Sequence, residues 1–217
     1  MTRCRAAAGD SRGLRLPAFA PGMRIGLLGG SFNPPHAAHR AISLHAMKRL
    51  KLDAVWWLVT PGNPLKDTSR LPSLSDRIAA ARAVAAHPRI AVTGIEAVIG
   101  TSYSHATLRW LKRRCPGVRF VWIMGADNLA TFHRWRNWQA IAASVPIAVV
   151  DRGGVGVSPI SSRAGHTLAA FRVPERDAAT LAARRPPAWV LLHGIKSPLS
   201  STALREKIPR KTPAPEG

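Results

Sequence analysis

The stretch RIGLLGGSFNPPHAAH, residues 24–39, decides the fold. From Arg24 toward Phe32 it is an apolar run of the length and composition of a strand buried on both faces. Two glycines and two prolines interrupt it, and from Ala38 to Leu50 the apolar positions Ile42, Leu44, Met47 and Leu50 recur at near-helical spacing. A strand, a tight turn and a helix in that order are the opening half of a βαβ unit.

The same alternation continues along the chain. Ala54 to Thr60 (AVWWLVT) reads as a strand, Ser75 to His87 as an alanine-rich helix with Ser75 as N-cap, and Ile90 to Glu96 as a strand. A helix over His105 to Arg114, a strand over Val118 to Met124, a helix over Trp138 to Val145 and a strand over Ile147 to Val150 follow. Residues 153–187 read mainly as loops, with one helix near Ala178 to Ala183, before a last strand at Ala188 to His193 and a short helix at Ser201 to Ile208. Strands separated by helices of ten or more residues require crossover connections and a parallel sheet. The predicted fold class is α/β, a doubly wound Rossmann-like parallel sheet with helices on both faces, in a single domain.

Residues 1–22 carry four arginines but no apolar stretch of secretory length, and are expected to form a disordered N-terminal extension, with Met23 as an alternative start. The folded domain is expected over 23–208 and a flexible tail over 209–217. With 217 residues, 46% hydrophobic and 20% charged, the chain has the composition of a folded domain, and no window holds 18 consecutive apolar residues. Only two cysteines, Cys4 and Cys115, are present, too few for a disulfide framework, so a reducing, cytoplasmic location is expected.

The formal charge of +21 raises a nucleic-acid reading. Against it, 25 of the 32 basic residues are arginines spread along the chain, with no arginine run longer than two. No RRM, KH or zinc-finger pattern accompanies them. Binding of a specific nucleic acid is not expected, and neither is a membrane partner.

In open α/β sheets ligands bind beyond the carboxyl ends of the strands. The unusual residues gather there: Gly29 to His39 after the first strand, Pro61 to Lys66 after the second, Gly125 to Asn128 after the fourth, and Ser197 to Arg205 after the last. Gly29 and Gly30 would let a phosphate approach the backbone, and His36 and His39, three apart, would share one face of the first helical turn. Neither G-x-G-x-x-G nor G-x-x-x-x-G-K-[ST] is present. Trp56 and Trp57 read as core packing, as do Trp110, Trp122, Trp138 and Trp189 by position. Trp135, in a polar stretch between His133 and Asn137, reads as a ligand contact. His45 and His87 read as surface residues, and Gly153-Gly154-Val155-Gly156 as a flexible loop.

GGSFNPPHAAH and SSTALR, with GNPLK, SYSHATL and GADNLATFHRWRNW between them in order, resemble the T/HxGH nucleotidyltransferase superfamily. Within it they resemble the bacterial nicotinate-nucleotide adenylyltransferases. The resemblance covers about residues 23–208 and is poorest in 153–187. It implies transfer of AMP from ATP to nicotinate mononucleotide, with Mg²⁺ on the triphosphate and no metal site on the protein.

Residue by residue, the resemblance implies that Gly29, Gly30, Ser31 and Phe32 line the nucleotide path. His36 and His39 would contact the ATP phosphates, and Gly125 and Asp127 the adenosine. Ser201, Thr202 and Arg205 would bind triphosphate, with Arg205 joining the two histidines in catalysis. Asn63 and Lys66 would serve the mononucleotide phosphate, and Tyr103, Ser104 and Trp135 the nicotinate ring. Asn33 stands where the family commonly has Asp, Ala38 where it has Gly, Ser104 where it has Thr and Ala106 where it has Asp or Gln. The rival readings are another adenylyl- or cytidylyltransferase, such as one acting on phosphopantetheine, and a basic nucleic-acid-binding protein. Oligomeric state stays open, a homo-oligomer included.

Overall fold

The computed structural model describes residues 11–62, 71–151 and 159–194. Among them, β1 (Arg24–Gly30), β2 (Ala54–Val59), β3 (Ile90–Thr93), β4 (Arg119–Gly125), β5 (Ile147–Val150) and β6 (Trp189–Leu192) form one sheet in the order β3-β2-β1-β4-β5-β6. Every pairing is parallel. The chain therefore runs outward from β1 to one edge, returns to the middle and runs outward to the other, which is the doubly wound α/β topology expected. The strand order reverses between β1 and β4, opening a crevice at their carboxyl ends.

The two-residue period of each strand divides the core into two layers. Leu28, Trp57, Val59, Val121, Ile123, Val150, Val190 and Leu192 face one side, with Ile42, Ala46 and Met47 of α1 (Ala37–Arg49) and Ile78 and Ala81 of α2 (Leu74–Ala85). Ile25, Leu27, Trp56, Leu58, Trp122, Met124, Val149 and Leu191 face the other, with α4 (Ser104–Arg114), α5 (Ala126–Thr131), α6 (Trp138–Ser144) and α7 (Arg163–Thr167). Adjacent Trp56 and Trp57 thus point to opposite layers, both fully buried. Each such side chain removed from water contributes on the order of 2–3 kcal/mol.

Several sequence expectations need correction. The cap of α2 is Ser73, whose hydroxyl accepts from the Asp76 N–H at 3.1 Å, while Ser75 joins the same cluster by a 2.8 Å hydroxyl contact. The third strand stops at Thr93, and Glu96 belongs to a short helix, α3 (Ile95–Val98). Residues Glu175–Ala183 form a 3-10 helix, and neither α5, which starts where a loop was expected after the fourth strand, nor α7 within 153–187 was foreseen. The His45 ring is half-buried against Gly194 and the His193 backbone rather than on the surface, and burial lowers its pKa.

The stretch 11–22, expected to be disordered, packs on the domain. Ser11–Leu14 forms a 3-10 helix, Gly13 accepts from the Gly94 N–H at 2.7 Å, and Arg15 accepts from the Thr93 hydroxyl at 2.8 Å. Phe19 meets Trp56 edge-on at 6.3 Å. These contacts tie the segment to the end of β3, which has no strand neighbour on its outer side within the described sheet. The expected Gly153–Gly156 loop, the helix at Ser201 to Ile208 and the 209–217 tail lie outside the described residues.

Candidate active site

Strand register places the predicted loops in one row. Gly30 pairs with Val59, Leu28 with Ile123, Gly125 with Val150, and Val150 with Leu192, so the carboxyl ends of β1, β2, β4, β5 and β6 lie level along one edge. Gly29, Gly30, Ser31, Phe32, His36 and His39 leave β1 there, and Gly125 and Asp127 leave β4 beside them. Asn63, Lys66, Ser201, Thr202 and Arg205 lie outside the described residues.

The turn after β1 is built around a conformational cost. Phe32 has φ 48°, in the left-handed region that a side chain disfavours by about 1–2 kcal/mol. Its ring is buried and stacks on Trp57, with centroids 4.9 Å apart. The Trp57 indole N–H donates to the Ser43 hydroxyl at 2.8 Å, and that hydroxyl donates to the His39 carbonyl at 2.9 Å. One chain of contacts thus runs from the kink to the first turn of α1. Gly29 has a packing reason as well: a Cβ there would lie 3.0 Å from the Trp122 ring.

His36 is the N-cap of α1 and 7% exposed, and its ring centroid lies 3.9 Å from that of His39. The His36 backbone N–H donates to His39 Nδ1 at 3.2 Å. With Nδ1 accepting, the neutral His39 ring carries its proton on Nε2, which makes that nitrogen a donor. The imidazoles stand at the positive end of a thirteen-residue helix, an arrangement suited to phosphate oxygens.

Exposed Tyr103 caps α4, with Ser104 the first residue of that helix. Arg136 lies over the Tyr103 ring at 4.9 Å. Half-buried Trp135 meets Phe132 and Trp122 edge-on, at 5.4 and 6.3 Å. The structure therefore brings the SYSHATL segment against the segment containing Trp135. Arg136 had no sequence signal beyond its position beside Trp135.

Two further groups escaped the sequence reading. Arg77 of α2, only 4% exposed, donates to backbone carbonyls of the loops after β1 and β2. Glu96 is buried and accepts from the Thr107 hydroxyl at 2.8 Å, with a further bond to the Thr60 side chain. Burial raises its pKa, opposed by those hydroxyl bonds. A charged residue at a helical spacing gives no hint of burial, so neither group was legible before the chain folded.

The parallel sheet of this α/β protein places a helix N-terminus and paired imidazoles at its switch point, an arrangement suited to nucleotides. The profile described as Cytidylyltransferase-like matches residues 27–207. The chain is 63% identical over 183 residues to a Bradyrhizobium sp. (strain ORS 278) protein named "Probable nicotinate-nucleotide adenylyltransferase", covering 84% of this chain and 95% of that one. A protein of the same name from Methylorubrum extorquens is 59% identical over 185 residues, 85% of this chain and 100% of its own. The solved Plasmodium falciparum nicotinic acid mononucleotide adenylyltransferase complexed with NaAD shares the fold, with TM-score 0.65 at 15% identity over 87% of this chain and 85% of that one. The chain belongs to the cytidylyltransferase-like nucleotidyltransferases and, among them, to the nicotinate-nucleotide adenylyltransferase family.

Proposed function

We propose that the chain transfers the AMP moiety of ATP to nicotinate mononucleotide, giving deamido-NAD and pyrophosphate in NAD biosynthesis. The observation that carries this reading is the 63% identity extending over 95% of a relative of that name. The His36–His39 pair at the α1 N-terminus supplies the chemistry.

A phosphate monoester is already anionic near neutral pH, so the mononucleotide phosphate needs no general base to attack. Its oxygen forms a bond to the α-phosphorus of ATP as the bond from that phosphorus to the β-phosphate bridge oxygen breaks and pyrophosphate leaves. Catalysis then rests on alignment and charge stabilisation. We assign His36, His39 and Arg205 to the charge growing on the α-phosphate and leaving group. Gly29, Gly30, Ser31, Phe32, Gly125, Asp127, Ser201 and Thr202 are assigned to ATP. Asn63, Lys66, Tyr103, Ser104 and Trp135 are assigned to the mononucleotide. ATP enters as its Mg²⁺ complex, the ion travelling on the triphosphate. We place the reaction in the cytoplasm and the catalytic domain over 23–208, with the packed 11–22 segment as its structural support.

The test is pyrophosphate release with ATP and either nicotinate or nicotinamide mononucleotide, with CTP and phosphopantetheine as controls. The Arg136 guanidinium over the Tyr103 ring favours a carboxylate over an amide, so kcat/KM for the nicotinate form should exceed that for the nicotinamide form by about tenfold to a hundredfold. Trp135→Ala should raise KM for the mononucleotide far more than KM for ATP. Equal use of both mononucleotides, or preference for phosphopantetheine, would refute the substrate.

A further inference from the structure

Arg77 is a buried cation whose hydrogen bonds among the described residues all go to backbone oxygens. Its Nε donates to the Pro72 carbonyl at 3.0 Å, Nη1 to Ser31 and Thr60 at 2.9 and 2.7 Å, and Nη2 to Pro61 at 3.1 Å. Among the described residues no carboxylate forms an ion pair with it. Burying a charge is tolerated only when its donors are satisfied, and the planar fork of arginine can reach several acceptors that one ammonium cannot.

The position of those acceptors gives the contact its consequence. Ser31 immediately precedes Phe32, the residue held at φ 48°. The Phe32 ring is pinned on the far side by Trp57 and lies 4.8 Å from the His39 ring. Arg77 therefore grips the entrance to the kink while Trp57 grips its ring. Without the first grip, Phe32 can relax toward the ordinary φ region, and the path through Trp57, Ser43 and His39 transmits that shift to the imidazoles. The Thr60 and Pro61 bonds anchor the same guanidinium to the end of β2, so its own position is fixed by the sheet.

We infer that Arg77 is a positioning residue for phosphoryl chemistry: through the Ser31 carbonyl it holds the β1–α1 turn in the strained conformation that aligns His36 and His39. This rests on the adenylyl-transfer reading of the site. Arg77 acts through the turn, and its charge is spent on protein carbonyls rather than on substrate.

The test compares the wild type with Arg77→Lys and Arg77→Met by steady-state kinetics, thermal melting and the imidazole ¹H–¹⁵N resonances of His36 and His39. Arg77→Lys keeps the charge and loses the fork, so it decides the matter if Arg77→Met does not fold. The expected result for folded Arg77→Lys is kcat lowered about 100-fold, the scale of an ångström-sized misplacement, with KM for the mononucleotide within about threefold and both imidazole resonances shifted. Wild-type kcat in Arg77→Lys would overturn the inference. So would activity lost only in proportion to the unfolded fraction with the imidazole resonances unmoved. A wild-type enzyme that does not turn over nicotinate mononucleotide would refute the assigned reaction instead, and the resonance shifts would still report on Arg77.

Discussion

Phe32 stacks on Trp57 with their planes 17° apart while its own backbone sits at φ 48°. The ring's burial outweighs the backbone cost, so two opposite terms meet in one residue. Removing the ring should cost about 3–5 kcal/mol, as for other buried phenylalanines. The backbone term reverses the usual ranking of small residues: Phe32→Gly should be about 0.5–1 kcal/mol more stable than Phe32→Ala, because only glycine enters the left-handed region freely. Urea unfolding of the two variants measures the difference, and an alanine variant as stable as the glycine one would mean the kink relaxes without cost.

The His36 and His39 rings are close enough that each shapes the other's position. Replacing either with alanine should lower kcat by roughly 100-fold, the magnitude typical for loss of a preorganised donor to transition-state charge. Circular dichroism should remain that of the folded protein. Retention of near-normal turnover in both variants would remove the histidines from the mechanism.

The packed N-terminal segment changes what truncation should do. Deleting residues 1–22 exposes the Phe19 contact on Trp56 and strips the acceptors from the Gly94 N–H and the Thr93 hydroxyl. An abandoned buried donor costs about 1–3 kcal/mol, so this truncation should be destabilised by about 2 kcal/mol or more. Deleting only residues 1–10 leaves those contacts in place and should spare the stability that the longer truncation loses with them. If both truncations melt together with the full chain, the segment contributes nothing to stability.

Glu96 provides a pH signature. Burial raises its pKa above the ordinary 4.5, so the folded state holds the proton more tightly than the unfolded chain does. The stabilisation from that proton is fully present below the unfolded value and is lost as pH rises through the raised folded value. Glu96→Gln removes the titration and keeps an acceptor for Thr107. Its melting temperature relative to wild type should therefore improve as pH rises above the unfolded pKa, until Glu96 is ionised in the folded state, with no such gain below the unfolded pKa. A difference independent of pH in calorimetry would show that Glu96 does not titrate with folding.

Trp135 shows how far local reading reached. Trp135 is half-buried, but so are Trp110 and Trp138, which were expected in the core, so burial does not set it apart; its neighbour Arg136, which lies over Tyr103, does. Its aromatic neighbours Phe132 and Trp122 remained hidden because one of them comes from β4, across a turn whose geometry has no periodic signal.

What the sequence by itself determined is the succession of the six strands and of the longer helices between them, the two-layer alternation within each strand, and the loops that carry glycine, proline and histidine beyond the strand ends; the short helices α3, α5 and α7 were not legible. These are written in spacing: two residues for a pleat, about 3.6 for a helical turn, and punctuation where an apolar run stops. The tertiary structure alone decided that Arg77 reaches the Ser31 carbonyl 46 positions away and that Thr93 closes on Arg15 across 78. Such bonds follow from which strand lies beside which and from the enclosure that makes an unsatisfied polar group costly. Neither exists until distant parts of the chain have packed together.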